Sequence, residues 1–154
     1  MEEVLAGPSL EDEAEGALAA EGKLIAQAKK LALLAAGAAS QKYMQAIQDQ
    51  QEIMGAIADM VIEIYAMESA VLRAQKIAPA NWFAIAMTQV YLSGGMERVE
   101  AAARKILTAV AEGDNLRVQM AILRRLAKHD LYNTIALRQQ IAQKVIDSGK
   151  YAIE

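Results

Sequence analysis

Three carboxylates, Glu52, Asp59 and Glu63, are spaced seven and four residues apart, which sets them on neighbouring turns of one helix. Carboxylates so placed could serve a metal cluster inside a helical bundle, but such clusters draw Glu-x-x-His pairs from facing helices. The chain holds one histidine, His129, and no such pair. The acidic stripe therefore reads as solvated or salt-bridged, facing Lys or Arg. His129 precedes Asp130, and a His–Asp pair suggests a catalytic dyad. Sequence neighbours do not face each other on a helix, however, and no nucleophile is visible to complete the set. A histidine at a helix end, favoured by the carboxy-terminal dipole, is the better reading. With no cysteine there is no thiolate nucleophile, zinc-thiolate site or disulfide framework. No residue is assigned to catalysis, cofactor binding or metal.

One basic cluster has a shape that chemistry could use. Arg117, Arg124 and Lys128 share a face by their spacing, with Arg125 beside them, opposite the apolar Leu116, Met120 and Leu123. A basic amphipathic helix of this kind can touch anionic phospholipid or an acidic partner, or can be an ordinary solvated face. Trp82 and Tyr91 could stack on a flavin or other ligand. At helical spacing from Ile85 and Met87 they read as anchors of the core or of an interface. Met44, Met54, Met60, Met67, Met87, Met96 and Met120 read mainly as core filler.

The elements that position these residues are helices. Ala, Leu, Ile, Met, Gln and Glu dominate, only Pro8 and Pro79 interrupt, and no polar/apolar alternation lasts a strand's length. The expected fold is all-α, an up-down bundle of four to five helices. A linker-like start over 1–8 precedes one helical domain over 9–154. Ser9 with the carboxylates after it marks a helix start, and helix one runs from about Ser9 to about Ala46 with its cleanest stripe at Leu24, Ala28, Leu31 and Ala35. Helix two, from about Asp49 as a plausible cap to about Gln75, carries Ile53, Ile57, Met60, Ile64, Met67, Val71 and Ala74 at alternating four- and three-residue steps. A second stripe, Met54, Ala58, Val61, Tyr65 and Leu72, lies beside it, so helix two is expected inside the bundle with both stripes packed. Pro79 marks the next entry. Helix three runs from near Asn81 to about Glu112, continuous through Ser93-Gly94-Gly95 because Phe83, Met87, Val90 and Tyr91 keep register with Val99, Ala102, Ile106 and Val110. Gly113 ends it and Asp114 caps helix four, about Asn115 to Lys128. The HDLYN tract turns, Asn133 opens helix five on Leu137, Ile141 and Val145, and Gly149 closes it.

The net charge of −3 is unevenly spread: seven acidic and no basic residues lie in 1–22, and Lys and Arg are in excess after Glu97. A weakly acidic chain without a basic, aromatic-interleaved groove argues against nucleic-acid binding. No apolar run reaches the ~20 residues needed to span a bilayer, and the acidic start is not that of a signal peptide. A cytoplasmic protein, at most peripheral to a membrane, is expected.

The segment AIADMVIEIYAMESAVLRA, Ala56 to Ala74, following a long helix and a polar break, resembles the carboxy-terminal helical domain of acyl-CoA dehydrogenases. The tract from Glu100 to Ile146 is similar to the end of the very-long-chain branch, which repeats the helical arrangement without an active site. The resemblance extends from about Leu18 onward. It implies a parent enzyme that uses FAD to desaturate an acyl-CoA: a base takes the α-proton while hydride leaves the β-carbon for the flavin. It also implies, as a partner, the catalytic domain of that parent. Independently, a chain this apolar, with helices one and two apolar on more than one face, is expected to self-associate as a two-fold dimer. Flavin-binding members carry an RxQFG-type element before the turn. Here Gln41 to Gln48 read QKYMQAIQ, so the resemblance carries over the scaffold and not that site, and no cofactor is expected on this chain. Three readings follow: a non-catalytic domain for packing, oligomerisation or membrane association; a free-standing interaction module; and a ligand-binding bundle with a pocket near Trp82 and Tyr91.

Overall fold

The computed structural model describes residues 18–77 and 81–151, and these form an all-helical bundle. Its helices are α1 (Ala19–Tyr43), α2 (Gln51–Ile77), α3 (Trp82–Val110), α4 (Gly113–Leu126) and α5 (Thr134–Ser148), with a 3-10 helix, Met44–Asp49, between α1 and α2. The helix start expected at Ser9, the linker-like first residues and Pro79 lie outside the described residues.

α1, α2 and α3 pack on one another and enclose the core. Side-chain pairs fix their directions. Glu63 meets Arg98 and Met67 lies beside Gly95, so α2 and α3 run antiparallel. Glu21 meets Gln89 and Lys42 donates to the Ala109 carbonyl, so α1 and α3 run parallel. α4 rests on α1 and α3, whereas α5 touches α3 alone among the described helices.

The stripe Leu24, Ala28, Leu31 and Ala35 is buried on α1, as its spacing predicts. On α2 the buried set is Ile53, Ala56, Met60, Ile64, Met67, Val71 and Ala74, with Ile57 half-buried at the margin. The second α2 stripe departs from expectation. Met54, Val61, Tyr65 and Leu72 are exposed, and Ile62 joins them. Among the described residues, helices cover one face of α2 and none covers the other.

α3 continues unbroken through Ser93-Gly94-Gly95. Asn81 starts it, its Oδ1 accepting from the backbone N–H of Phe83 and Ala84. Phe83 is the buried aromatic. Trp82 and Tyr91, expected as anchors of the core or of an interface, are exposed and so do not anchor the core, with Trp82 edge-on to Phe83.

Two further expectations are corrected at helix starts. Asp49 ends the 3-10 helix without capping α2, whose first bond runs from Met54 N to the Gln50 carbonyl. Asp114 lies inside the first turn of α4, and its carboxylate takes Arg117 at 3.0 Å in place of a backbone N–H. Asn133 and Gly149 do bound α5. Asn133 Oδ1 accepts from Ala136 N, and Gly149 at φ 62° returns its N–H to Val145 and Ile146, a left-handed closure that suits glycine.

Candidate functional site

Because α5 leans on α3 without reaching α2, a cleft opens between the carboxy-terminal end of α2 and α5, floored by the first half of α3. Its volume is about 680 Å³, within the range of small-molecule sites. Each wall follows helical spacing. α2 contributes Ala70, Arg73, Ala74 and Ile77, and α5 contributes Arg138, Ile141 and Ala142. The floor includes Met87, Thr88, Tyr91 and Gly94 of α3, with Arg98 at one end and Tyr151 at the mouth. Thr88 spends its hydroxyl on the Ala84 carbonyl at 2.8 Å, so it adds no free donor to the floor.

The Arg98 end of the cleft is electrostatically closed. Arg98 grips Glu63 with two parallel bonds, Nε to Oε2 at 2.9 Å and Nη2 to Oε1 at 2.7 Å, the fork geometry of a strong carboxylate pair. These bonds hold the Glu63 carboxyl below the usual range against the opposing effect of burial. The guanidinium also lies 5.8 Å over the Tyr91 ring, within cation–π range. Burial, then the Glu63 carboxylate, push the Tyr91 phenol up. Arg73 and Arg138 differ: among the described residues neither makes a hydrogen bond or an ion pair.

A second polar cluster ties the ends of the bundle together. Glu21 is only 3% exposed, and its Oε1 accepts from Tyr132 Oη at 2.7 Å and from Gln89 Nε2 at 2.9 Å. The connection between α4 and α5 is thereby pinned to α1 and α3. Burial first, then the hydrogen bond to Glu21, push the Tyr132 phenol up to about 12. The neutral phenol is thus the folded form, and its contribution to stability is complete below the unfolded value of about 10. That contribution fades as pH rises through about 12. Urea melts at pH 9 and pH 11.5 should show a larger loss for the wild-type chain than for Tyr132→Phe; equal losses would reject the coupling.

The sequence-predicted residues scatter. Glu63 is salt-bridged as expected of the acidic stripe, while Glu52 and Asp59 are exposed elsewhere on α2. Arg117, Arg124 and Arg125 stand exposed on α4, opposite the buried Leu123 and Leu126, with Arg117 tied to Asp114; Lys128, expected on the same helix, is exposed just past its end at Leu126. His129 follows the end of α4, and its Nδ1 lies 2.8 Å from the Ala127 carbonyl, so that nitrogen carries the proton. This is the helix-end role its position predicts. Tyr91 does line the cleft, as a pocket near it requires, but Trp82 is not among the lining residues. Sequence reasoning missed Arg73 and Arg138, whose only signal is a three- or four-residue step to small or apolar neighbours, Ala70 and Ile77 on one helix and Ile141 and Ala142 on the other.

At Gln41–Gln48 the residues do not fit a flavin pyrophosphate. The one cation, Lys42, gives its ammonium to the Ala109 carbonyl at 2.8 Å, and Met44 projects to solvent.

Fold and surfaces together define a helical-bundle domain in which, among the described residues, an apolar face of α2 is left uncovered. The family model described as acyl-CoA dehydrogenase, C-terminal domain, matches residues 27–125, and the chain belongs to this family. It is 37% identical over 148 residues to a protein of Bacillus subtilis (strain 168) described as "Probable acyl-CoA dehydrogenase", a match covering 93% of this chain and 25% of that protein. The crystal structure of an acyl-CoA dehydrogenase complexed with FAD from Bacillus anthracis superposes with a TM-score of 0.86 at 35% identity, covering 99% of this chain and 28% of that one. The chain thus spans about a quarter of the length of these relatives.

Proposed function

We propose that this chain is the non-catalytic carboxy-terminal domain of a FAD-dependent acyl-CoA dehydrogenase of fatty-acid β-oxidation, and that it acts by packing on the rest of its enzyme. The flavin and the catalytic base belong to the remainder of the parent. The observation that carries this reading is the open face of α2. Met54, Val61, Ile62, Tyr65 and Leu72 fall within one side of the helix, and all are exposed. Large apolar side chains exposed together on one helix face are what an interaction site presents.

Cut from its parent, such a face covers itself with a second copy, and two-fold pairing is the commonest closed arrangement. Sedimentation across a dilution series should give a dimer for the 154-residue chain and a monomer for the Val61→Asp, Tyr65→Asp double variant. A monomer at every concentration for the unaltered chain would reject the docking face. Purified chain should also be colourless, and stoichiometric flavin absorbance would contradict a non-catalytic role.

The second surface in this proposal is α4, whose Arg124 and Arg125 are exposed, together with the exposed Lys128 just past its end. No helix among the described residues is long and apolar enough to cross a membrane, so any lipid contact of theirs is peripheral. Each such cation contributes roughly 1 kcal/mol near an anionic surface. Arg124→Glu should reduce flotation with anionic vesicles and leave neutral vesicles unaffected; equal flotation of wild type and variant removes α4 from this role.

A further inference from the structure

We infer that the cleft between α2 and α5 is a binding site for a single-chain amphiphile with an anionic head group, a carboxylate or a phosphate. This goes beyond the packing role above and does not depend on it, since it concerns a different face of the molecule. Two observations combine. Across the gap between the helices stand Arg73 on α2 and Arg138 on α5, and neither guanidinium has an anion or acceptor among the described residues. The third arginine of the cleft, Arg98, shows what a satisfied guanidinium looks like in this fold, because both its bonds go to Glu63. Ile77, Met87 and Ile141 line the same cleft, all only half-buried, so the cleft leaves apolar area in contact with water.

A small hydrophilic anion would satisfy the guanidiniums and leave that apolar area wet. A neutral hydrocarbon would cover the area and leave the cations unpaired. One molecule with a planar or tetrahedral anionic head and a flexible apolar chain satisfies both, and guanidinium forks match both head geometries. The volume of about 680 Å³ is ample for one such chain. Glu63 does not oppose the charge, because its carboxylate is neutralised by Arg98 at the far end of the cleft.

Titration calorimetry on the 154-residue chain tests this with four probes below their aggregation limits: decanoate, decyl phosphate, decanol and inorganic phosphate. Saturable one-to-one binding of decanoate or decyl phosphate is expected, the tighter of the two identifying the head group. Decanol should bind about tenfold more weakly or worse, since each charge-assisted bond lost is worth about that factor, and inorganic phosphate should show no saturable binding. The Arg73→Ala, Arg138→Ala double variant should lose the preference for the charged amphiphile over decanol, whereas Arg124→Ala on α4 should keep it. Both variants alter exposed side chains, and equal melting temperatures would establish that the fold is intact. Methyl NMR shifts at Ile77 and Ile141 on adding ligand would place the chain in the cleft. Equal affinity for decanoate and decanol, no saturable binding of either anion, or an unaltered preference in the double variant would overturn the assignment.

Discussion

Ile64→Ala should cost roughly 2–5 kcal/mol of stability, while Ile62→Ala, two residues away on the same helix, should stay within about 0.5 kcal/mol. The two residues have the same chemistry and the same helix propensity. They differ in where a 3.6-residue period sends them. Ile64 is 6% exposed and packed in the core beside Met60 and Met67, whereas Ile62 is 65% exposed on the open face. Truncating Ile64 removes transfer energy and leaves a cavity that the surrounding α1 and α3 side chains cannot fully close. Truncating Ile62 removes atoms that already face water. Ile57, half-buried at the margin, should fall between them. Chemical denaturation of the three variants at one pH reads the differences directly. Equal shifts for Ile62→Ala and Ile64→Ala would mean that α2 is rotated from the orientation described, and would take the docking face with it.

α2 also shows how far the sequence is legible. Its buried stripe follows from spacing alone, because one helix face must alternate four- and three-residue steps to stay on one side. Its second stripe is equally apolar, and its exposure is invisible in the chain: among the described residues no helix lies over it, yet composition reads it as core. The closures of α5 were legible because they are local, with Asn133 and Gly149 acting within four residues of themselves. The continuity of α3 across Gly94-Gly95 followed from the apolar register on either side. The Glu21 cluster was not legible, since its partners lie 68 and 111 residues away and only the packed bundle brings them together. The cleft was legible only at Tyr91. Its charge depends on which arginines lack partners, a property of three helices at once. The family resemblance, carried by the Ala56–Ala74 pattern, identified the scaffold that the comparisons establish.

Paired glycine substitutions isolate the packing of α2 on α3. Gly94→Ala and Gly95→Ala each remove the flexibility that makes glycine about 1 kcal/mol worse than alanine within a helix, so propensity favours both equally. Space separates them. A Cβ at position 94 meets only the Arg98 guanidinium, 3.1 Å from Nη1, the far end of a long exposed side chain and not one of the two nitrogens bonded to Glu63. A Cβ at position 95 falls 2.8 Å from Met67 Sδ, 2.9 Å from its Cγ and 3.0 Å from Glu63 Oε1. Met67 is fully buried and has nowhere to retreat, and Glu63 Oε1 is the atom that receives Arg98 Nη2. Overpacking of this kind costs typically 1–3 kcal/mol, so Gly95→Ala should fall below Gly94→Ala by about that amount, with the shared propensity gain cancelling in the comparison. The mechanism predicts a coupling as well. Met67→Ala empties the space that the new methyl needs, so its own cost of about 2–5 kcal/mol should shrink by about 0.5–3 kcal/mol when Gly95→Ala is already present. A double-mutant cycle by urea denaturation supplies the number. Additive costs, or a Gly95→Ala chain as stable as Gly94→Ala, would show that Gly95 is not the contact that lets α2 and α3 approach.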